Sequence, residues 1–499
     1  MTATTELNIL NRALESIYFP LRGRVTEHLA ENGLLCENSR EARVCQFDER
    51  FLQALWNEQL FAADLKTVEG QALEVISPGT WNLEEGPDFK NAVISLDGRV
   101  LHGAIEIHRR SSDWHHHGHQ GDPNYREVIL HAVWSNAESG ESEGCALPPC
   151  FEMQSFMDRP WHAATEVIDL ETDYPYARQV GPGACVPRWA HLDDGRLRRI
   201  LRIAGLARFR EKAGYFQRIA VARGTSQALY ELVFEALGYK ANKHSFRSLA
   251  QQLKLADLKA LPDALARQAA LFGSAGFLPD PTRTALPRQT VGKTRQMWHA
   301  WWRLGREPVR TVWRRGSCRP FNSPERRLAA GAEIMERWGW QPERAITRIV
   351  ADAKDEKEML RSLRRELSFE SEWDGLTTLQ HALKQRARLI GESRQRDMLV
   401  NVILPAAWSI AGRRGRSEKV EMIEAAFLRM PRLQGNRSLK EAAHRLLAPP
   451  SRFREVTCSA CEQQGMLGLY KDFCLRLDND CANCPLLSSE LFEKLMPTR

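Results

Sequence analysis

Four short segments between residues 71 and 134 have the composition and alternation of β-strands, and this cluster constrains the fold more than any other feature of the chain. The pair Asp97-Gly98 stands between two of them, where an Asp-Gly pair predicts a tight two-residue hairpin. The preceding segment, 51–66, spaces its apolar residues roughly as a helix does. We therefore expect the order helix, three strands, loop, strand. The strand segments are QALEVIS (71–77), FKNAVISL (89–96), HGAIEIH (102–108) and EVILHAVW (127–134).

Helical composition dominates from about residue 190 onward, where long stretches are rich in Leu, Ala, Arg and Glu. Breaks that contain Pro or Gly interrupt these stretches. The sequence therefore predicts an α+β protein, in which a small mixed β-sheet domain is followed by a mostly α-helical body and a Cys-rich C-terminal knob. The expected parts are a helical segment (1–50), an α/β domain with a metal site (51–150), a mostly helical basic domain (151–450) and a Cys-rich metal-binding tail (451–499).

Charge is distributed unevenly along the 499 residues, whose net charge is +7. Residues 1–150 hold 12 Lys and Arg against 23 Asp and Glu, a balance of −11, and the remainder holds 58 against 40, a balance of +18. Seven of the 14 histidines lie between His102 and His131, in the acidic part. An acidic, His-rich part joined to a basic one suits a metal-dependent unit attached to a polyanion-binding body. We therefore expect nucleic acid, either DNA or RNA, as the partner.

The sequence contains no apolar run near the roughly 18 residues that a helix needs to cross a bilayer. Its N-terminal segment lacks the basic start and continuous apolar stretch of a signal peptide. We therefore expect a cytoplasmic protein with no membrane partner.

Two acids and a histidine form the most informative group in the strand cluster. Asp88 stands at the entry to one strand, and Glu106 and His108 are two residues apart on the next, so their side chains leave the same face. If the two strands pair through the Asp97-Gly98 turn, Asp88 lies near that face too. Two converging carboxylates repel each other unless a divalent cation neutralises them. Such a pair can hold Mg²⁺ or Mn²⁺, which acidifies a bound water and stabilises charge on a phosphate.

The order Pro-Asp, hairpin, Glu-X-His resembles the signature of the restriction-endonuclease-like superfamily, Pro-Asp followed by (Asp/Glu)-X-Lys. By that resemblance Asp88 and Glu106 are metal ligands, and His108 takes the place of the lysine that helps to position or activate the attacking water. Glu58, on the preceding helix, matches the accessory acid that the superfamily often carries. The chain departs from the pattern in its missing lysine and in the short link between His108 and the next strand segment, which leaves little room for the helix expected there.

Further histidines suggest a richer site. His117, His119 and Asp122 lie in the loop after Glu106 and His108, and together they offer a mixed nitrogen and oxygen set that suits Mn, Fe or Zn better than Mg. Asp122 has an alternative role as a turn or cap residue. Of the histidines, one in the last strand segment is more typical of a hydrogen-bonded strand residue than of a ligand.

Arginines and tryptophans are interleaved between residues 293 and 327, a composition that can bind phosphates and stack on bases. For the tryptophans inward packing is the favoured interpretation. For the arginines, contact with nucleic acid is the hypothesis that the basic balance supports. The candidate residues are Arg303, Arg310, Arg314, Arg315 and Arg319.

Five cysteines lie close together in the C-terminal tail, where such clustering favours a metal over disulfides. Cys458-X2-Cys461 and Cys481-X2-Cys484 are separated by the segment 462–480, whose length is typical of a four-cysteine zinc site. Cys474 lies between them, at helical spacing from apolar residues. The run Cys474-X6-Cys481-X2-Cys484 also resembles part of the iron–sulfur loop of helix-hairpin-helix glycosylases, without that loop's fourth cysteine. The sequence leaves three alternatives: zinc as the first choice, an iron–sulfur cluster, or unligated thiols.

Several segments together resemble an uncharacterised bacterial family, the domain of unknown function 2851. This resemblance extends over nearly the whole chain and implies kinship without implying an activity. The segments include GTWNLEEGPDFKNA, GAIEIHRRSSDWHHHGH, ALFGSAGFL, RPFNSPERRLA, NVILP, YKDFC and CANC.

The hypothesis that follows from the acids, the histidines and the charge balance is a metal-dependent, nuclease-like phosphodiesterase that acts on nucleic acid. Its divalent cation is Mg or Mn, with Fe or Zn as further candidates. One alternative is an Fe, Zn or Mn enzyme that acts on a small molecule. Another is a non-catalytic nucleic-acid-binding protein in which the metal site is structural.

Overall fold

The computed structural model describes residues 3–31, 49–59, 61, 64–82, 85–136, 147–157, 181–309, 313, 315, 320–477 and 480–488. The chain divides into two compact units. The sheet unit comprises residues 23–181, and the helical unit comprises residues 1–22 together with 182–499. A mixed sheet in one unit and helices in the other confirm the predicted α+β class.

Helices account for most of the chain that the structure describes. No helix among the described residues combines the length and the apolar composition needed to span a membrane. The helices are α1 (Ala3–Ala13), α2 (Phe19–Glu31), α3 (Glu49–Glu58), α4 (Asp113–His116), α5 (Val186–Ala190), α6 (Asp194–Arg223), α7 (Thr225–Leu237), α8 (Tyr239–Gln252), α9 (Leu255–Lys259), α10 (Ala264–Ser274), α11 (Arg288–Leu304), α12 (Pro324–Arg337), α13 (Pro342–Asp352), α14 (Glu356–Glu366), α15 (Glu392–Met398), α16 (Leu404–Arg413), α17 (Ser417–Leu428), α18 (Arg437–Leu446), α19 (Phe453–Val456), α20 (Ala460–Leu469) and α21 (Pro485–Ser488).

Among its described residues the sheet unit contains seven strands in the order β1-β2-β4-β5-β6-β7, with β3 paired to β4. Pairs up to β5 are antiparallel, whereas β5 with β6 and β6 with β7 are parallel. The sheet is therefore mixed, as predicted. The strands are β1 (Leu65–Lys66), β2 (Ala72–Ser77), β3 (Thr80–Trp81), β4 (Phe89–Leu96), β5 (Arg99–Arg110), β6 (Val128–Ser135) and β7 (Cys150–Glu152).

The predicted hairpin between β4 and β5 is confirmed. Leu96 pairs with Arg99, so Asp97 and Gly98 form a two-residue turn. Both turn residues have positive φ, 48° and 84°, as a type I′ turn requires. This turn sets the register that brings the start of β4 beside the middle of β5.

Helix α3 covers the sheet through an apolar face that is fully buried. Its residues Phe51, Leu52, Leu55 and Trp56 recur at helical spacing and join the core that the strands form. The link between β5 and β6 contains the single turn α4 and short 3-10 turns, because the segment 111–127 leaves little room for a longer helix.

In the helical unit the long helix α6 is crossed closely by α20. The contact depends on two glycines: a Cβ atom at Gly465 would lie 1.8 Å from the carbonyl oxygen of Leu201, and one at Gly205 would lie 2.3 Å from that of Cys461. Residues 1–22 pack in this unit as well, where the buried hydroxyl of Tyr18 donates to Asp472 over 2.9 Å. The N-terminal helical segment is thus divided between the two units at residue 22.

Candidate metal centre

Asp88 and Glu106 meet at the junction of β4 and β5, as the hairpin predicted. The backbone N–H of Asp88 donates to Oε2 of Glu106 over 3.1 Å, and Oδ2 of Asp88 accepts from the N–H of Ile107 over 3.0 Å. Gln53 of α3 donates to the other carboxylate oxygen of Asp88 over 2.5 Å. Asp88 is therefore held by two elements, α3 and β5, and in turn holds one oxygen of Glu106.

The second oxygen of Glu106 faces a cluster of imidazoles. Oε1 of Glu106 lies 3.4 Å from Nε2 of His108 and 3.3 Å from Nε2 of His119. Nε2 of His108 also lies 3.0 Å from Nδ1 of His117 and 3.3 Å from Nε2 of His119. Among the residues that the structure describes, these three histidines form the one group of at least three ligand-type atoms within 4.8 Å of each other. Three imidazoles thus converge on one centre, and Oε1 of Glu106 lies beside two of them, His108 and His119.

Hydrogen bonds alone cannot account for this arrangement. One nitrogen of His108 faces three atoms, and a single ring proton satisfies only one of them. Around an ion with metal–nitrogen bonds of about 2.1 Å, neighbouring ligand atoms stand about 3.4 Å apart in a tetrahedron and about 3.0 Å apart in an octahedron. The observed separations match these edges. Three imidazoles and one carboxylate are a ligand set for Mn, Fe or Zn rather than for Mg.

His131, on the neighbouring strand β6, orients one of the ligands. Its Nε2 lies 2.9 Å from Nδ1 of His108, and both rings are buried. With Nε2 of His108 facing the centre, its Nδ1 is left to make this hydrogen bond, which fixes the tautomer and the plane of the ring. This strand histidine is hydrogen-bonded, as the sequence predicted.

The short link after β5 delivers the other two histidines. It is anchored by Asp113, which accepts from the N–H of Arg110 over 3.0 Å, and by the buried ring of Trp114. Gly118 has a φ of 74°, a conformation that favours glycine, and this turn lets His117 and His119 approach the same centre. The ring of His119 is buried, while that of His117 is exposed, so one side of the site opens to solvent.

Burial shapes the electrostatics of the site. It raises the pKa of Asp88, with Glu49 adding to the shift, and it raises the pKa of Glu106, with Asp88 adding to it. Burial and the neighbouring imidazoles lower the pKa of His108 to about 2 and, with burial again the larger cause, that of His131 to about 4. Without a cation, burial thus favours the protonated form of the two carboxyl groups and the neutral form of the His108 and His131 imidazoles.

Glu49, and not the Glu58 that the sequence suggested as an accessory acid, is the acid of α3 found beside the histidine cluster in the described residues. Glu49 has an oxygen 4.0 Å from Nε2 of His108, and Gln53, one turn later, contacts Asp88. Glu58 follows Glu49 by nine residues, which places it about 180° around the helix. It interacts with Asn57 instead, over 3.2 Å. Neither Glu49 nor Gln53 was predicted from the sequence, although their spacing of four residues puts them on one face of α3.

Asp122, for which the sequence left the alternatives of a ligand and of a turn or cap residue, caps a turn. Its Oδ1 accepts from the N–H of Asn124 over 2.9 Å and so caps the 3-10 turn that follows. That turn carries Tyr125, whose ring stacks on His119 at a centroid distance of 3.7 Å. Asp122 thus supports the position of His119 through Tyr125. This is the cap role that the sequence gave as the alternative.

Of the arginines expected to contact nucleic acid, two lie among the described residues. Arg303 is exposed on α11. Arg315 is paired with Glu325, over 2.9 Å, and lies over the ring of Phe277. Arg310, Arg314 and Arg319 lie outside the described residues.

A stronger basic surface lies elsewhere in the helical unit and was not recognised in the sequence. It is a cleft of about 1210 Å³ that is reached by the first turns of α7 and α13, whose free N–H groups favour anions. Two of its cations pair with acids of the cleft, Arg223 with Glu231 and Arg414 with Glu343. The cations that line it are Arg223, Lys254, Lys259, Arg344, Arg348, Arg414 and Arg416.

The cysteines of the tail do not converge as two pairs. Cys458 is exposed, and its thiol donates to the carbonyl of Glu455 over 3.3 Å. Cys461 is buried between α20 and α6, where its thiol contacts the carbonyl of Arg202 over 3.6 Å. The remaining three thiols line one pocket together with a cysteine that is remote in sequence. These pocket residues are Cys185, Cys474, Cys481 and Cys484.

Comparison with known proteins identifies a family. Residues 49–434 match the family described as "Protein of unknown function (DUF2851)". The match includes the metal centre and most of the helical unit, and the chain belongs to this family. Searches of curated proteins and of solved structures found no match.

Proposed function

We propose that this protein is a metal-dependent hydrolase of the phosphodiesterase type, which acts on nucleic acid through an ion of Mn, Fe or Zn held by Glu106, His108, His117 and His119. The observation that carries the proposal is the convergence of the three imidazoles, with Nε2 of His108 lying 3.0 to 3.4 Å from ligand atoms of His117, His119 and Glu106. An ion in such a site lowers the pKa of a bound water and stabilises charge on a phosphoryl oxygen.

The surroundings support a catalytic rather than a closed structural site. Structural zinc sites are tetrahedral and closed by four protein ligands, so an ion held by these four residues keeps a position for water only with five or six ligands in all, as Mn and Fe commonly have. His117 is exposed, so the site faces solvent on the side of the α4 link. Glu49, with its nearest oxygen 4.0 Å from His108, is positioned to contact a water on the ion.

In this proposal Asp88 is a positioning residue. Both of its carboxylate oxygens accept hydrogen bonds, from Gln53 and Ile107, and its N–H holds Glu106. His108, which stands in the place of the superfamily's lysine, becomes a ligand to the ion. The chemistry therefore differs from that of a two-carboxylate magnesium site, and Mg is the least suited of the metals considered.

The basic cleft of the helical unit supports a polyanionic substrate. Seven cations and two acids line it among the described residues, and the two acids are each paired with one cation. Five cations of this described lining thus have no acid of the cleft as a partner and can neutralise phosphates, a number that would make binding strongly dependent on salt. Together with the balance of +18 beyond residue 150, this favours nucleic acid over a small neutral substrate.

A second candidate is an Fe or Zn enzyme that acts on a small molecule. The three histidines favour it, because nitrogen-rich sites are common where the metal itself carries out the chemistry. In a third candidate the ion is structural and the chain binds nucleic acid without cleaving it. These alternatives differ in metal retention and in turnover, which one set of samples can measure.

The test compares His117→Ala with His116→Ala in the full chain. His117 supplies a ligand atom, whereas its neighbour His116 is 74% exposed and contacts Asp113 instead. Metal content would be measured after purification, and then cleavage of labelled single- and double-stranded DNA and RNA after loading with Mn²⁺, Fe²⁺ or Zn²⁺. We expect His117→Ala to lose both the metal and cleavage, and His116→Ala to keep both.

Two outcomes would reject the proposal in different ways. Full cleavage by metal-loaded His117→Ala would show that the four-ligand centre is not the active site. Metal retention in wild type without cleavage of any nucleic acid would reject the phosphodiesterase. In that case tight retention without DNA affinity favours the small-molecule enzyme, and equal DNA affinity of wild type and Asp88→Ala favours the non-catalytic protein.

A further inference from the structure

Four thiols from distant parts of the chain meet at one pocket of the helical unit. Cys185 stands at the start of α5, Cys474 lies in the π-helical segment after α20, and Cys481 and Cys484 form the turn before α21. Cys185, Cys474 and Cys484 are buried, Cys481 is half-buried, and all four are free of disulfide bonds. The sequence motif accounted for three of these cysteines, whereas Cys185 lies far from them in the chain.

The backbone at residues 183–184 lies close to the sulfurs of Cys185 and Cys481. A Cβ atom at Gly183 would lie 3.2 Å from Sγ of Cys185 and 3.0 Å from the carbonyl oxygen of Arg445, so a larger residue would crowd the pocket. The N–H of Ala184 points to Sγ of Cys481 over 3.4 Å. Asp480 caps the Cys481–Cys484 turn by accepting from the N–H of Ala482 over 2.9 Å. These contacts fix the Cys481–Cys484 turn beside the segment 183–185.

A buried cation faces the sulfurs. The side chain of Arg445, on α18, is buried, and its Nη2 lies 3.0 Å from Sγ of Cys481. A guanidinium N–H beside a metal-bound sulfur donates a hydrogen bond to it and offsets part of the negative charge of the centre. Thiolates are the form that ligates metals, and N–H···S contacts to ligand sulfurs are typical of metal–thiolate centres.

We propose that Cys185, Cys474, Cys481 and Cys484 are the four ligands of a metal centre, and that an iron–sulfur cluster occupies it rather than a single zinc ion. With Zn–S bonds of about 2.3 Å, the sulfurs of a zinc site stand about 3.8 Å apart. Within the described part of the chain, no three of these sulfurs lie within 4.8 Å of each other, since the histidine group alone meets that limit. An iron–sulfur cubane binds one cysteine at each iron and spaces its ligands more widely.

This centre is separate from the one proposed at Glu106, and neither depends on the other. Four thiolates complete the coordination of a cubane, so the centre has no open position for a substrate. It joins the C-terminal turn at Cys481 to the start of α5 at Cys185, which lie far apart in the chain. The role that follows is to fasten the end of the helical unit, with electron transfer as a property that the centre makes available.

The test is anaerobic purification of the full chain from iron-replete cells, followed by measurement of iron, acid-labile sulfide, zinc and visible absorption. Wild type is expected to carry four irons and four sulfides per chain and to absorb broadly in the visible range. Cys185→Ser is expected to lose most of both. The matched control is Cys458→Ser, because Cys458 is an exposed cysteine of the same tail that does not line the pocket.

Arg445→Gln provides a readout that does not depend on losing a ligand. The variant is expected to keep the cluster but to lower its reduction potential, because a nearby cation stabilises the more negative, reduced state. One zinc per chain in place of iron and sulfide would overturn the cluster. Absence of any metal from wild type, or equal loss in Cys458→Ser and Cys185→Ser, would overturn the ligand set.

Discussion

Replacing Glu106 by Gln separates the two roles that the buried acid has in this site. The side chain is 7% exposed, and its two oxygens face Asp88 and the histidine cluster. Gln keeps the shape and can accept from the N–H of Asp88, but it has no charge to offer an ion. We therefore expect opposite effects on the metal-free and the metal-loaded protein.

In the metal-free protein the substitution is expected to stabilise the fold at alkaline pH. Burial raises the pKa of Glu106 above its usual 4.5, so the folded state binds a proton that the unfolded state has released. Wild type therefore loses stability as the pH rises from about 4.5 towards the raised pKa. Gln does not titrate, so the stability of Glu106→Gln relative to wild type should increase between pH 5 and pH 8.

In the metal-loaded protein the effect reverses. An ion present at 100 times its dissociation constant stabilises the fold by about 2.7 kcal/mol. Loss of one of four ligands is expected to weaken binding by at least the roughly 100-fold that loss of an outer-shell partner can reach. The same ion concentration then stabilises Glu106→Gln by about 0.4 kcal/mol or less.

The assay is urea unfolding at pH 5 and pH 8, with chelator and with Mn²⁺ or Zn²⁺, for wild type, Glu106→Gln and a control. The control is Glu74→Gln, which removes an exposed acid from β2 in the same sheet. Equal stabilisation by metal in wild type and Glu106→Gln would refute the ligand assignment. A metal-free Glu106→Gln that becomes less stable than wild type as the pH rises would refute the account of the buried charge.

Three further predictions concern the histidine that contacts His108, the close contact of α6 with α20, and the basic cleft. His131→Gln should weaken metal binding 10- to 100-fold, measured by competition with a chelating dye, because the ring that orients His108 is lost. Gly465→Ala should lower the free energy of unfolding by about 3 kcal/mol or more, measured by chemical denaturation, because its Cβ would lie 1.8 Å from a carbonyl oxygen. The control Gly214→Ala should leave the free energy of unfolding unchanged or raise it slightly, because the nearest neighbouring side-chain atom lies 3.8 Å from its Cβ. Arg344→Glu with Arg348→Glu should weaken nucleic-acid binding and flatten its salt dependence, and unchanged binding would exclude the cleft.

The placement of Glu106 and His108 could be predicted from the sequence because strand geometry is regular. An Asp-Gly turn sets the register of a hairpin, and the two-residue period puts Glu106 and His108 on one face. The turn alone does not fix the position of Asp88, because a β-bulge between Phe89 and Ala92 shifts the register by one residue and brings Asp88 beside Glu106. The loop histidines were recognised by composition, but nothing in their spacing distinguished His117 from its neighbours His115 and His116.

Residues that reach a site across the fold were beyond such rules. Glu49 enters through the packing of α3 on the sheet, and the accessory acid was assigned to Glu58 because a helix alone does not reveal which face it buries near the site. Cys185 joins the C-terminal thiols only because α5, α18 and the tail meet in the helical unit. The two CXXC pairs have the sequence spacing of a zinc site, but that spacing does not reveal where each thiol lies in the folded chain.

By itself, therefore, the sequence determined the elements: a hairpin with a required turn, a strand face with an acid and a histidine, a helical remainder, and the charge of each part. These follow from local periodicity and from the conformational limits of single residues. Tertiary structure alone decided which imidazole nitrogens share a centre, which face of α3 supplies Glu49, and which four thiols meet. Those choices depend on the packing of segments far apart in the chain, where ångström distances, and not residue types, determine what an atom can ligate.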